Sequence, residues 1–242
     1  MRTSSILVPV VLVLLVGTTV AEARPGAARA RAEAAVKSLA HGRDITVRWR
    51  PDGTRPSVIR GLSEATMGRS VQERALGFIG AHPDLFLPTS QLRAVQTRSA
   101  GGLTVVRLKQ VTSKDGVEVD GGELTVALDS AGKVTSVHAE LIPLSGPVPR
   151  AKLDREAAVG HVLGRLAGKK GPAAVPAELR GLRPALMVLP CATPRLVYRV
   201  MVPLWLDPLG RIHLVDAVNG ELLGWRPGMK IDGHKLGKGV SR

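Results

Sequence analysis

Gly116–Leu141 reads GVEVDGGELTVALDSAGKVTSVHAEL, and its period decides the fold. It reads as strand, tight turn, strand, tight turn, strand. Leu124, Val126 and Leu128 alternate with polar neighbours, so one face is buried and the other is wet. Asp129-Ser130-Ala131-Gly132 closes a hairpin, and Val137, Ala139 and Leu141 return along the next strand. An antiparallel sheet with one covered face needs a helix to cover it. Upstream, SVQERALGFIGAHPDLF supplies one: Ser70 and Glu73 have capping-box spacing, and Val71, Ala75, Leu76, Phe78 and Ile79 share a helical face. Pro83 predicts that this helix stops near His82.

Working outward, Arg24–His41 is rich in Ala, Arg and Glu and predicts a helix with a weak apolar stripe. Asp44–Arg50 and Ser57–Leu62 form a predicted hairpin around the turn Pro51–Thr54. Leu92–Thr97 and Leu103–Val111 are two more strands, and Lys114-Asp115-Gly116 turns the chain into the opening stretch. Pro143–Pro149 is a linker, after which the pattern restarts. Asp154 caps a helix whose face is Val159, Val162, Leu163, Leu166 and Ala167. Ala185–Leu189, Leu196–Val202, Arg211–Val215 and Glu221–Trp225 are strands, the last pair joined through the tight turn Asn219-Gly220. The expected fold is therefore α+β, with two small modules of antiparallel sheet packed by a helix.

The chain has 242 residues, of which 44% are hydrophobic and only 2% aromatic, so its cores must be built from Val, Leu, Ile and Ala. Residues 1–23 have the order of a secretory signal: Arg2, the apolar run Ile6–Val20, then Ala21-Glu22-Ala23, with a cut expected after Ala23. That implies a secreted or periplasmic protein with no membrane segment after cleavage. The formal net charge is +14, and loss of Arg2 and Glu22 together leaves it unchanged. The arginines are spread along the chain and are not interleaved with aromatic rings, which argues against nucleic acid. A solvated basic surface, or one matched to an acidic protein, is the simpler reading. Cys191 is the sole cysteine, which excludes an intrachain disulfide.

Chemistry-bearing motifs are sparse. None of the six histidines begins a His-Glu-x-x-His element, and Gly-x-Ser-x-Gly does not occur. His161, His213 and Asp216 are the best metal candidates but lack a recognised ligand spacing. Asp216 reads instead as an acceptor for the Asn219-Gly220 turn. Glu118, Asp120 and Glu123 surround Gly121-Gly122 and read as an acidic turn rim in preference to a calcium loop. No cofactor, metal or catalytic residue is assigned.

VVRLKQVTSKDGVEVDGGELTVALDSAGKVTSVHAEL resembles the fungalysin/thermolysin propeptide (FTP) family. The matching elements are Arg107 to Gln110, Gly116 to Val119, Gly121-Gly122 and the turn Asp129 to Gly132. The later LVYRVMVPLWLDPLGRIHLVDAVNGELLGWRP resembles a PepSY-type half, through Tyr198 to Val200 and through Val215 to Glu221 with Asp216 and Gly220. The chain departs from the family where Val105 and Leu108 replace His or aromatic residues, and where Asp120 precedes Gly-Gly. The resemblance implies a cystatin/PepSY-like fold with an FTP-like module at 24–142 and a PepSY-like module at 150–226, between the signal 1–23 and a Gly- and Lys-rich, flexible basic tail 227–242. It implies a non-enzymatic propeptide, the inhibitor and chaperone of a zinc metalloprotease catalytic domain, in cis or in trans. The catalytic region is expected outside this sequence. Lys114, Asp115, Glu118, Asp120 and Glu123 are the expected partner contacts, with the segment after Trp225 as a second candidate. Arg107, Gln110, Gly116, Gly121, Gly122, Asp129, Gly132, Tyr198, Asp216 and Gly220 are the expected structural positions of the family motifs.

Overall fold

A computed structural model describes residues 25–228. The expected signal segment, and the expected basic tail beyond Gly228, lie outside the described residues. Three helices and ten strands follow in the order α1 (Pro25–Ala40), β1 (Thr46–Trp49), β2 (Pro56–Glu64), α2 (Val71–Ala81), β3 (Leu92–Ala100), β4 (Leu103–Val111), β5 (Glu118–Leu128), β6 (Val134–Glu140), α3 (Arg155–Leu166), β7 (Ala185–Leu189), β8 (Arg195–Met201), β9 (Arg211–Asp216) and β10 (Leu222–Pro227). The class is α+β: helices packed on largely antiparallel sheet.

Local chemistry explains the helix ends. The Ser70 hydroxyl accepts from the Glu73 N–H, and the Glu73 carboxylate accepts from the Ser70 N–H, so both halves of the capping box form. The Asp154 carboxylate accepts from the Ala157 N–H at 2.7 Å and caps α3. α2 closes its core with Ala75, Phe78 and Ile79, and the Phe78 and Phe86 rings meet at 6.0 Å in a tilted pair. α1 adds buried Ala32 and Leu39 to the same cluster, so two helices, not α2 alone, cover this part of the sheet.

Two apolar clusters form. The first joins α1 and α2 to Leu108, Leu124, Val126, Val137 and their neighbours. The second joins α3, through Val159, Val162 and Leu163, to Val188, Leu196, Tyr198, Val200 and Val215. The strands under them are one continuous sheet, because Glu118 and Val119 of β5 pair in parallel with Met187 and Val188 of β7. Val119 is buried in the second cluster, whereas Leu124, Val126 and Leu128 of the same strand are buried in the first.

β5 also corrects the reading of its own sequence. Gly121-Gly122 is not a tight turn; it lies inside an eleven-residue strand. Opposite Lys109 and Val111, β5 advances from Glu123 back to Glu118, so it bulges between them. A bulge kinks the strand and re-aims it, which lets one strand serve two partners. Gly121 sits at φ 75°, a conformation that side chains oppose.

The second half of the sheet curls. β5 and β10 are separated by β7, β8 and β9, about 19 Å if flat at the usual strand spacing. Yet the Arg226 guanidinium of β10 lies 2.5 Å from the Asp120 carboxylate of β5. The enclosed face, opposite α3, holds a third small cluster of Met187, Val197 and Leu214, flanked by Leu189 and Leu223.

Candidate functional site

The site expected from the sequence is the β4–β5 connection and the bulge after it. On β4, period two sends Val106, Leu108 and Gln110 inward and Arg107 and Lys109 outward. Gln110 is 1% exposed, and both ends of its amide bond one residue: it donates to the Ile142 carbonyl at 2.7 Å and accepts from the Ile142 N–H at 2.8 Å. The side chain thus imitates a strand and fixes the chain as it leaves β6. Gly122 lies directly over it; a Cβ there would sit 2.6 Å from the Gln110 amide oxygen. Arg107, on the outer face, holds Glu123 through both guanidinium arms, and Lys109 adds a contact of 2.8 Å to the same carboxylate. The Arg107 bonds, then those of Lys109, hold the Glu123 carboxyl at about 2, well below the usual carboxylate range.

The other expected contacts divide into two kinds. Glu118 accepts from Arg93 at 2.5 Å, and Asp120 pairs with Arg226. With Glu123 on Arg107 and Lys109, all three acids of the bulge have their own cation and do not pool into one site. Lys114 and Asp115 are exposed at the turn and have no ion-pair partner among the described residues. Thr112 braces that turn: it accepts from the Val117 N–H through its hydroxyl and from the Gly116 N–H through its carbonyl. Beside the turn, a cleft of about 550 Å³ runs toward the linker at Leu144 and Val148.

The remaining motif residues lie in turns or support the core. The Asp129 carboxylate accepts from the Lys133 N–H at 2.8 Å, and its carbonyl accepts from Gly132. The Tyr198 hydroxyl donates to the Leu153 carbonyl at 3.0 Å, which ties β8 to the approach of α3. The Asp216 carboxylate accepts from the Val218 N–H at 2.8 Å and from Asn219 at 3.3 Å, and Gly220 completes the turn against the His161 ring. His161, His213 and Asp216 do not converge, and among the described residues no three such side chains come together as metal ligands. The exposed Cys191 thiol donates to the Thr193 carbonyl at 2.8 Å.

One residue escaped the sequence reading. Asp207, in the loop between β8 and β9, is buried and binds Arg211 at 2.9 Å and His213 at 2.9 Å. Hydrogen bonds from Arg211 first, then His213, keep its carboxyl at about 2 despite burial. This anchor sets a loop whose Leu204, Trp205 and Leu209 face solvent. Nothing local in the Asp207–Arg211 string DPLGR signals this inward ion pair.

Residues 90–141, from just before β3 to the end of β6, match the family model of the Fungalysin/Thermolysin Propeptide Motif. The stretch holds Arg107, Gln110, Gly121 and Gly122 and is of a non-catalytic, propeptide type. A solved structure, the Bacillus megaterium YpeB C-terminal domain, is similar at a TM-score of 0.39 and 11% identity, covering 81% of this chain and 95% of that one. No curated protein matches the chain significantly.

Proposed function

We propose that this protein is the propeptide-type chaperone and inhibitor of a secreted zinc metalloprotease of the thermolysin/fungalysin type, acting in cis or in trans. The observation that carries this reading is the propeptide motif over residues 90–141. In the proposal, residues 1–23 direct export and are cut after Ala23; residues 24–142 form the FTP-like module and 150–226 a PepSY-like module. A propeptide that binds only the native-like catalytic domain raises that domain's stability by mass action. The same contact covers the cleft until the propeptide is cleaved. Lys114 and Asp115 are the proposed contact, being charged, exposed and set on a braced turn next to an open cleft. Among the described residues no helix is long and apolar enough to cross a membrane.

Titrating the purified protein into thermolysin-like and fungalysin-like proteases tests the reading. We expect saturable, near-stoichiometric inhibition that fades as the protein is cleaved, and faster refolding of the denatured protease. Failure of both with every protease of either type would overturn it.

A further inference from the structure

A cleft of about 1020 Å³ lies in the other half, between the end of α3 and the β9–β10 hairpin. α3 covers only part of the sheet, so the strip nearest β10 is left open. His213, Leu222 and Trp225 line it from the sheet; Arg165, Lys169 and Lys170 line it from the helix and the loop after it. These last three cations are exposed and have no carboxylate partner among the described residues. The one acid in the lining, Glu221, has Arg195 at 3.3 Å.

The backbone that carries Lys169 and Lys170 is held in place. The Lys169 N–H donates to the Gly164 carbonyl at 2.8 Å, and the Ala173 N–H donates to Gly160 at 2.9 Å, so the loop lies flat on the helix. Only glycine permits this at position 164, where a Cβ would fall 1.9 Å from the Gly171 carbonyl oxygen. Trp225 is 55% exposed and carries the Arg211 guanidinium 5.5 Å from its ring centre, which stiffens an apolar surface beside the charges. Among the described residues β10 is the terminal strand of the sheet order, paired on one side by β9. A terminal strand offers backbone donors and acceptors to an incoming extended chain.

We propose that this cleft binds an extended acidic polypeptide segment, its backbone along β10, its apolar side chains on Trp225 and Leu222, and its carboxylates on Arg165, Lys169 and Lys170. The inference is independent of the protease reading. The geometry favours a polypeptide over a plain polyanion because the unpaired cations line one wall, while apolar surface and a strand edge, with Arg211 held by Asp207, form the other.

The test is fluorescence anisotropy with a labelled peptide alternating Glu and Val. Saturable binding is expected, weakened about tenfold by K169E/K170E, each exposed pair being worth a few-fold. The charge-matched variant R98E/K133E, altered in the other half of the molecule, should stay within about twofold, since distant surface charges are screened. A peptide N-methylated at alternate amides should bind about tenfold more weakly because strand pairing is blocked. Far-UV circular dichroism checks that both variants are folded. Equal loss in R98E/K133E, undiminished binding of the N-methylated peptide, or no binding of the parent peptide would each overturn the proposal. So would inorganic polyphosphate or single-stranded nucleic acid binding more tightly than the peptide.

Discussion

The two halves of the sheet use the same materials differently. The α1–α2 half turns its aromatics inward, with Phe78 and Phe86 nearly inaccessible, and pairs the acids of its bulge with arginines. The α3 half buries only Tyr198 among its Tyr and Trp rings, keeps Trp205 and Trp225 more than half exposed, and leaves Arg165, Lys169 and Lys170 unpaired among the described residues. One half keeps its rings inside; the other shows two of its three and lines an open cleft with unpaired cations. Both halves have a filled core, the second around Val162, Val188, Val200 and Val215, so the rings displayed by the α3 half are surplus to its packing and available for recognition.

This contrast can be broken by substitution. Phe78→Ala removes a ring packed among Ala75, Ile79 and Phe86 and should cost about 3–5 kcal/mol in urea denaturation. A cost below about 1 kcal/mol would mean the first core is not the stable one. Gln110→Leu strands both polar groups of Ile142 and should cost about 2–4 kcal/mol by the same measurement. Asp207→Asn weakens the anchor of the β8–β9 loop, for which we expect about 1–3 kcal/mol. Because the Asp207 carboxyl is depressed when folded, its contribution is present above its unfolded value near pH 4 and disappears as pH falls toward about 2. The wild-type advantage over Asp207→Asn should therefore shrink across that window in acid-unfolding curves. Trp205→Ser, on an exposed tip, should change stability by less than about 0.5 kcal/mol. A large loss there would move Trp205 from display to core.

Much of the architecture was legible because it is written locally. The Ser70-x-x-Glu73 box, the Asp154 cap, the Asp129–Gly132 turn and the alternation of Leu124, Val126 and Leu128 each depend on residues a few positions apart, and each forms. What depends on distant partners was not legible. Gly121-Gly122 looks like a turn in isolation; only the pairing of Glu118 with Met187 and the Gln110 side chain beneath Gly122 make it a bulge. Asp120, which departs from the family pattern, gains its reason from Arg226, far along the chain. The basic cleft was hidden for the same reason: Lys169-Lys170 reads as a solvated loop until the helix glycines and the β10 edge place it beside Trp225.

The double pairing of β5 also sets an order of assembly. Synthesis runs from the N-terminus, so β5 exists before any residue of β7 has been made. Its leading residues, Glu118 and Val119, then stand as a finished template to which the later half attaches in parallel. The later half has no route to its complete sheet without the earlier one, whereas β1 to β6 pair fully among themselves. A polypeptide cut after Pro143, which keeps the Ile142 partner of Gln110, should therefore still fold, while one beginning at Leu144 should not reach its native sheet, and the growing chain acquires its recognition cleft last.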